Sequence, residues 1–414
     1  MAEVSISFAP SPAVAVISAP AVARRREYNV AIGYLRALVT VMVLAHHAVL
    51  AYYPYMPGPP TSMLAQPRLW QAFPVMDSHR SGVFGWFVGY NDIFFMSLMF
   101  LLSGLFVWPS LQRKGSGKFL RDRILRLGIP FVVAAAVVAP LAYYPAYLQI
   151  SGAGNAPGFW HEWLSLGNWP AGPVWFVWVL LAFDCVAAAL LAVSSKWGER
   201  LGCALATPSR RPIAFFAVLA AISGGAYLPL VMKYGPMYWS SFGPFFFQTS
   251  RILHYLVYFL IGAGLGAYGL HRGLLSPEGK LARRWYLWMS VSLITFALAV
   301  GVLIASLASP ASAKLWNFVG GIAFVLACAS ACLAFLAFFT RFVKKEGAIM
   351  NSLRDNAYGM YVIHYAFVSW LQYALLKSQL SGLTKGLVVT AGTVALSWMT
   401  VAMLRRIPVV ARTI

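Results

Sequence analysis

Asn29 is followed by VAIGYLRALVTVMVLAHHAVLAYY, Val30 to Tyr53, an apolar run long enough to cross a bilayer. Inside it stand one cation, Arg36, and two adjacent histidines, His46 and His47. A charge within a membrane-length helix costs on the order of 3 kcal/mol on insertion scales, which makes it a candidate functional residue. Helical phase sharpens the choice of partner. At about 100° per residue, Arg36 and His47 differ by roughly 20° around the axis and share a face, whereas His46 lies about 80° away. At about 1.5 Å per residue, Arg36 and His47 are separated by roughly 16 Å in depth. A second reading has Arg36 snorkelling to the near interface, and His47 satisfied in a core. That reading leaves the shared phase of the two unexplained.

Working outward, 60% of the 414 residues are hydrophobic and only 10% are charged, which excludes an ordinary soluble domain. Apolar runs recur to the end of the chain, at about 30–53, 83–107, 128–148, 173–193, 212–232, 252–270, 285–308, 316–340, 355–376 and 386–404. The fold expected is therefore all-α, a polytopic membrane bundle of about ten helices. Residues 1–28 read as a disordered cytoplasmic tail, 29–405 as the membrane domain and 406–414 as a short cytoplasmic tail. With ten spans, 24 of the 32 Lys and Arg residues fall on one side and seven on the other, leaving Arg36 within the membrane. The positive-inside rule then makes both termini cytoplasmic. The +21 net charge is explained as topology, and no nucleic-acid partner is needed to account for it. The four cysteines fall in spans or on the cytoplasmic side, so disulfides are not expected. No metal-ligand pattern, Walker loop or nucleophile elbow occurs.

Four further features carry chemistry. Asp92, in GYNDIFFMSLMFLLSGLF, sits at the edge of the second span, where a carboxylate either orients a histidine or caps the helix start. In KFLRDRILRLGIPF, 118–131, Arg123 and Arg126 stand three residues apart on a short helix entering the third span, with Arg121 beside them. They present paired guanidinium forks to phosphate, or simply anchor the chain to anionic lipid. His364, in DNAYGMYVIHYAF, either lines the cavity of His47 or packs against Tyr361 and Tyr365. Asp184 in the fourth span is equally open. The loops at 54–82, 149–172 and 233–251 are rich in aromatic residues, which form interfacial belts and also stack on sugar rings.

Taken in order, these motifs resemble those of the membrane-bound acyltransferase-3 family, which includes polysaccharide O-acetyltransferases and glucan succinyltransferases. The Arg36-x10-His47 pair matches its first span. Asp92, Phe94, Phe95, Ser103 and Gly104 match its second, with a longer insertion before Ser-Gly than the pattern has. Arg123, Arg126 and Pro130 match the cytoplasmic entry to the third. Pro173, Val174, Trp175 and Phe176 match its Trp-Phe span entry. Tyr358, Gly359, Tyr361 and His364 match the late motif. The Glu that follows Trp-Phe in some relatives is absent here, where Val177, Trp178 and Val179 stand.

The resemblance implies acyl transfer from a cytoplasmic acyl-CoA, an acetyl or succinyl donor, to a hydroxyl of an extracytoplasmic or lipid-linked glycan. It implies an integral protein of the bacterial cytoplasmic (inner) membrane, with acyl-CoA as co-substrate and no permanently bound cofactor. The partners implied are the acyl-CoA donor, the carbohydrate acceptor and membrane lipids. His47 is expected to be the general base, Asp92 to orient it, and Arg36 to stabilise the thioester region or a CoA phosphate. Arg121, Arg123 and Arg126 are expected to bind CoA phosphates, and His364, Tyr361 and Trp175 to line the substrate cavity. A competing class is a transporter or flippase for an anionic lipid or metabolite, with Arg36 as counter-ion. The lack of a visible inverted repeat weighs against it.

Overall fold

A computed structural model describes residues 29–152, 154–309 and 312–414. The expected tail 1–28 lies outside the described residues. The chain is almost wholly helical, and nine helices among the described residues are long and apolar enough to cross a membrane. They begin with α1, Val30–Val49, capped by the Asn29 side chain, which accepts from the Ile32 amide at 3.2 Å. Next come α2, Gly82–Gly104, and α3, a helical stretch spanning Val107–Ser151. The short helix expected to enter the third span is thus part of a longer helical stretch that begins at Val107 and is continuous with that span. It turns at Gly115, whose φ of +70° suits a residue without Cβ.

After a short α4, Ala156–Leu164, the chain runs through α5, Trp175–Val193, α6, Trp197–Ser209, and α7, Pro212–Tyr234. An antiparallel hairpin of β1, Trp239–Phe242, and β2, Phe245–Gln248, follows. The remaining long helices are α8, Ile252–Tyr268, α9, Trp285–Ala308, α10, Ala313–Phe342, α11, Ala348–Ala374, and α12, Gly382–Leu404. A final turn and a half, α13, Pro408–Thr413, occupies the expected C-terminal tail.

Ten spans were expected from the apolar runs, and the helix that fails the apolarity test is α11. Its 27 residues suffice to cross a bilayer. It carries Asn351, Ser352, Arg354, Asp355, Asn356, His364 and Gln372. Such a helix is tolerated at membrane depth when neighbouring helices surround it. α11 packs against α1, α12 and the outer half of α3, and Asn356, His364, Ser369 and Gln372 are buried. By contrast α9 is hydrophobic nearly all round and faces outward.

The helices approach closely where side chains are smallest. A Cβ placed on Gly262 or Gly266 of α8 would collide with the carbonyls of Leu101 and Leu105, so α8 and the end of α2 meet backbone to backbone. Bundle packing in lipid depends on such contact because apolar surface alone supplies little drive.

The segment between α1 and α2 is tied down by charge. Lys385 at the start of α12 donates to Asp77 at 2.7 Å, both side chains almost fully buried, and Asp77 also meets His79 Nδ1 at 3.1 Å. By the apolar runs, Lys385 belongs to the loop between 355–376 and 386–404. It is buried because the segment folds back over the bundle, where the Asp77 and Ser81 amides donate to the carbonyls of Ala51 and Tyr52. Breaking one partner of a buried pair costs about 3–5 kcal/mol, whereas removing both leaves no orphaned charge. Lys385→Met and Asp77→Leu should each lower the midpoint of thermal unfolding in detergent, and the double variant should regain part of the loss.

Candidate functional site

α1 is regular from Val30 to Val49, so the phase relation between Arg36 and His47 holds in the folded chain. The histidines diverge as expected. His46 is buried and stacks on Phe95 of α2, with ring centroids 5.1 Å apart. His47 is half-buried and turns toward α11, where its Nδ1 lies 3.3 Å from His364 Nε2. The two helices run parallel with matched spacing. Tyr34 donates to Asn351 at 2.8 Å, and His47 meets His364 thirteen residues further along each helix. Gln372 then closes the arrangement by donating to the carbonyls of His47 and Ala48 at 3.0 Å each.

The hydrogen bonds assign the tautomers. His364 Nδ1 is 2.6 Å from the Tyr361 carbonyl, which only accepts, so Nδ1 carries the proton and Nε2 offers its lone pair. His47 Nδ1 is 2.8 Å from the Val43 carbonyl and faces that lone pair. A single N–H on His47 Nδ1, shared between Val43 and His364, satisfies both contacts. The Nε2 of His47 is then unprotonated and able to take a proton. Tyr361 fixes the segment by donating to the Pro173 carbonyl. Tyr365 places its ring edge-on to His47 at 5.5 Å and continues to Tyr143 at 5.6 Å.

The structure brings together His47, His364 and Tyr361. Trp175 stands one layer away, stacked on Tyr255 at 5.9 Å and edge-on to Trp239 at 5.6 Å, while its neighbour Phe176 reaches Tyr361. Asp92 does not meet His47. Its carboxylate accepts from Arg251 at 2.7 Å, and its carbonyl accepts from the same guanidinium at 3.0 Å. The pairing expected of Asp92 is therefore corrected: a buried cation outcompetes a neutral imidazole for a carboxylate in low dielectric. Arg251 had been counted with a loop, yet it is buried and lies 4.6 Å over the Phe324 ring. The available signal was charge balance, since a membrane carboxylate calls for a cationic neighbour.

Arg36 lies on an exposed part of α1, about three turns from His47. At the same end of the bundle the three arginines of α3 divide. Arg123 Nε pairs with Asp184 Oδ2 of α5 at 3.2 Å, the carboxylate fully buried, and its guanidinium lies over Phe119. Arg121 and Arg126 are exposed. Gln372, Arg251 and the Asp184–Arg123 pair are site-shaping features that motif reading did not assign.

Two substitutions separate structural from reactive charge. Asp92→Asn should lower the unfolding midpoint while leaving the shape of any activity–pH profile unchanged, because Asp92 serves Arg251. Arg123→Ala should also destabilise the fold, by about 3 kcal/mol or more, because it strands the Asp184 carboxylate in the bundle. Thermal unfolding beside a pH–rate profile checks both.

The family model for the acyltransferase-3 domain matches residues 29–402, nearly the whole described bundle. Neither a curated protein nor a solved structure matches the chain. The match extends from the cap of α1 to the end of α12 and takes in both histidine-bearing helices. The chain is an integral membrane protein belonging to the acyltransferase-3 family, a membrane acyltransferase.

Proposed function

We propose that the protein transfers an acetyl or succinyl group from cytoplasmic acyl-CoA to a hydroxyl of an extracytoplasmic or lipid-linked glycan. Its setting would be the bacterial cytoplasmic membrane, with both termini cytoplasmic. The observation that carries this reading is the His47–His364 contact, which leaves His47 Nε2 as a proton acceptor. In the proposed reaction His47 Nε2 takes the proton of the acceptor hydroxyl as its oxygen attacks the thioester carbonyl. The carbon–sulfur bond then breaks, and the leaving CoA sulfur takes the proton from His47 Nε2, which regenerates the neutral base and gives the free thiol. His364 holds the His47 tautomer and receives part of the imidazolium charge through the shared N–H, the part assigned to Asp92 from sequence. Arg36 supports the thioester or a CoA phosphate. Arg126 and Arg121, exposed at the same end as Arg36, support the remaining CoA phosphates. Arg123 contributes indirectly, by keeping α3 against α5.

The direct test incubates purified protein in lipid nanodiscs with labelled acetyl-CoA or succinyl-CoA and measures free CoA, with and without a glycan acceptor. CoA release that grows with acceptor supports the reading, and none with either donor overturns it. His47→Ala should reduce turnover by about 10²–10⁴-fold, the usual contribution of a general base, while His46→Ala is much milder. Because the base acts in its neutral form, kcat/KM should fall as pH is lowered through the titration of the histidine pair.

Donor binding has its own signature. Arg126→Ala should raise the KM for acyl-CoA about tenfold, from one lost charge-assisted hydrogen bond, with little effect on the acceptor KM. An unchanged donor KM in Arg121→Ala/Arg126→Ala would reduce these arginines to lipid anchors.

A further inference from the structure

Helix α3 contains three prolines beyond its basic entry, Pro130, Pro140 and Pro145. Proline has no N–H, so each leaves a helical carbonyl one turn earlier without its usual donor. The outer face of this helix looks into lipid, with Val132, Val133, Val137 and Leu141 all at least half exposed. Lipid offers no water to such a carbonyl, so another part of the protein must supply the donor.

Beside each proline, where the helical ladder is interrupted, a carbonyl accepts from an aromatic side chain. Ahead of Pro130 the helix widens to a π turn over Ile124–Gly128, with the Ile129 amide reaching back five residues to Ile124; the ladder breaks at Pro130, and the carbonyl of Arg126 accepts from Tyr358 Oη at 2.6 Å. The carbonyl of Leu141, four residues before Pro145, accepts from Trp370 Nε1 at 3.0 Å. Around Pro140 the helix widens to a π turn over Ala134–Val138, with the Ala139 amide reaching back five residues to Ala134. The next bond of that pattern would join Pro140 to Ala135, and the Ala135 carbonyl accepts from Trp169 Nε1 at 2.8 Å instead.

Two of these three donors, Tyr358 and Trp370, belong to α11, and His364 is midway between them. Each is six residues from His364, so at about 100° per residue they sit roughly 120° to either side of it. The mean direction of the two anchors is opposite to His364. Bonds to α3 at the back of α11 therefore turn His364 toward α1 and His47. They also lie about 9 Å above and below it along the axis, which fixes the helix against sliding as well as rotation.

We propose that Tyr358 and Trp370 are positioning residues whose hydrogen bonds to the proline-freed carbonyls of Arg126 and Leu141 hold His364 against His47. The proposal deepens the reading of the histidine pair as the reactive site and rests on it. Neither side chain meets a reacting atom. Each acts through the rotation and depth of α11.

The design of α3 supplies its own control. Replacing Pro145 by alanine restores the N–H for which Trp370 stands in, and replacing Pro130 lets the π turn relax to α pairing, in which residue 130 donates to Arg126, so each change should suppress loss of its aromatic donor. Tyr358→Phe and Trp370→Phe are each expected to lower kcat about tenfold, the cost of one orphaned carbonyl, with the KM for acetyl-CoA unchanged. Pro130→Ala/Tyr358→Phe and Pro145→Ala/Trp370→Phe should return kcat to within about twofold of the parent. Should a single Phe variant fail to accumulate, its proline partner must restore accumulation.

A second measurement reads the geometry without catalysis. His47→Cys/His364→Cys is made in a chain whose exposed Cys185 and Cys203 are replaced by Ala, and the pair is bridged by a short bis-alkylating reagent. Bridging should be fast in this background, slow when Tyr358→Phe or Trp370→Phe is added, and fast again with the matching proline change. Phe variants that keep both kcat and bridging rate would overturn the proposal, as would losses that proline removal does not relieve. If the parent releases no CoA while bridging follows the expected pattern, the acyl-transfer reading fails and the positioning of α11 stands.

Discussion

Helix α11 is too polar to face lipid, and the arrangement of its neighbours follows from enclosing it. A bilayer interior has no water to satisfy an amide, an imidazole or a stranded carbonyl, so each polar group must find its partner within the protein. α1 receives His364 and Gln372, α3 receives Tyr358 and Trp370, and α12 covers a further side. The lipid-facing duty passes to helices such as α9, whose surface is apolar nearly all round. The polar side chains of this helix therefore turn inward, and the first span is among its main partners.

Charge and proton chemistry are kept apart in this bundle. Asp92 with Arg251, and Asp184 with Arg123, are opposite-charge pairs that neutralise each other between helices. His47 and His364 instead face carbonyls, aromatic rings and one another. A carboxylate beside His47 would make it a stronger base and hold its proton more firmly after transfer. A second imidazole orients the first without placing a charge beside it.

Much of this was legible in the sequence because it depends on period and depth. Arg36 and His47 share a phase in a regular helix, and nothing in the folded chain disturbs that helix. His47 separates from His46 for the same reason. The helical character of the bundle follows from the length of the apolar runs, with α11 departing because polar residues crowd its first turns and His364 and Gln372 follow along it. Partnerships between distant segments were not legible. Asp92 read as a partner for a histidine or as a helix cap, and only the placement of α8 beside α2 brings in Arg251. Arg123 and Arg126 look equivalent in a linear motif, yet one faces α5 and a buried carboxylate while the other faces outward. Lys385 read as a loop residue because hydropathy says nothing about a segment folding back over the bundle. The prolines of α3 were visible throughout, but their meaning lies in carbonyls whose acceptor role becomes apparent only beside α11.

The matched spacing of α1 and α11 also bears on how the chain is assembled. His47 and His364 are 317 positions apart, as are Tyr34 and Asn351, and Asp77 and Lys385 are 308 apart. A chain inserted from its N-terminus places α1 in the membrane long before its partner has been synthesised. Through the insertion of the intervening helices, the first span has neither of these contacts and its following segment carries an unmatched carboxylate. Completion of the bundle, closure of the reactive pair and neutralisation of that charge thus arrive nearly together, with the last helices to emerge. A chain lacking its final fifth would lack α11 and α12, and with them all of these contacts.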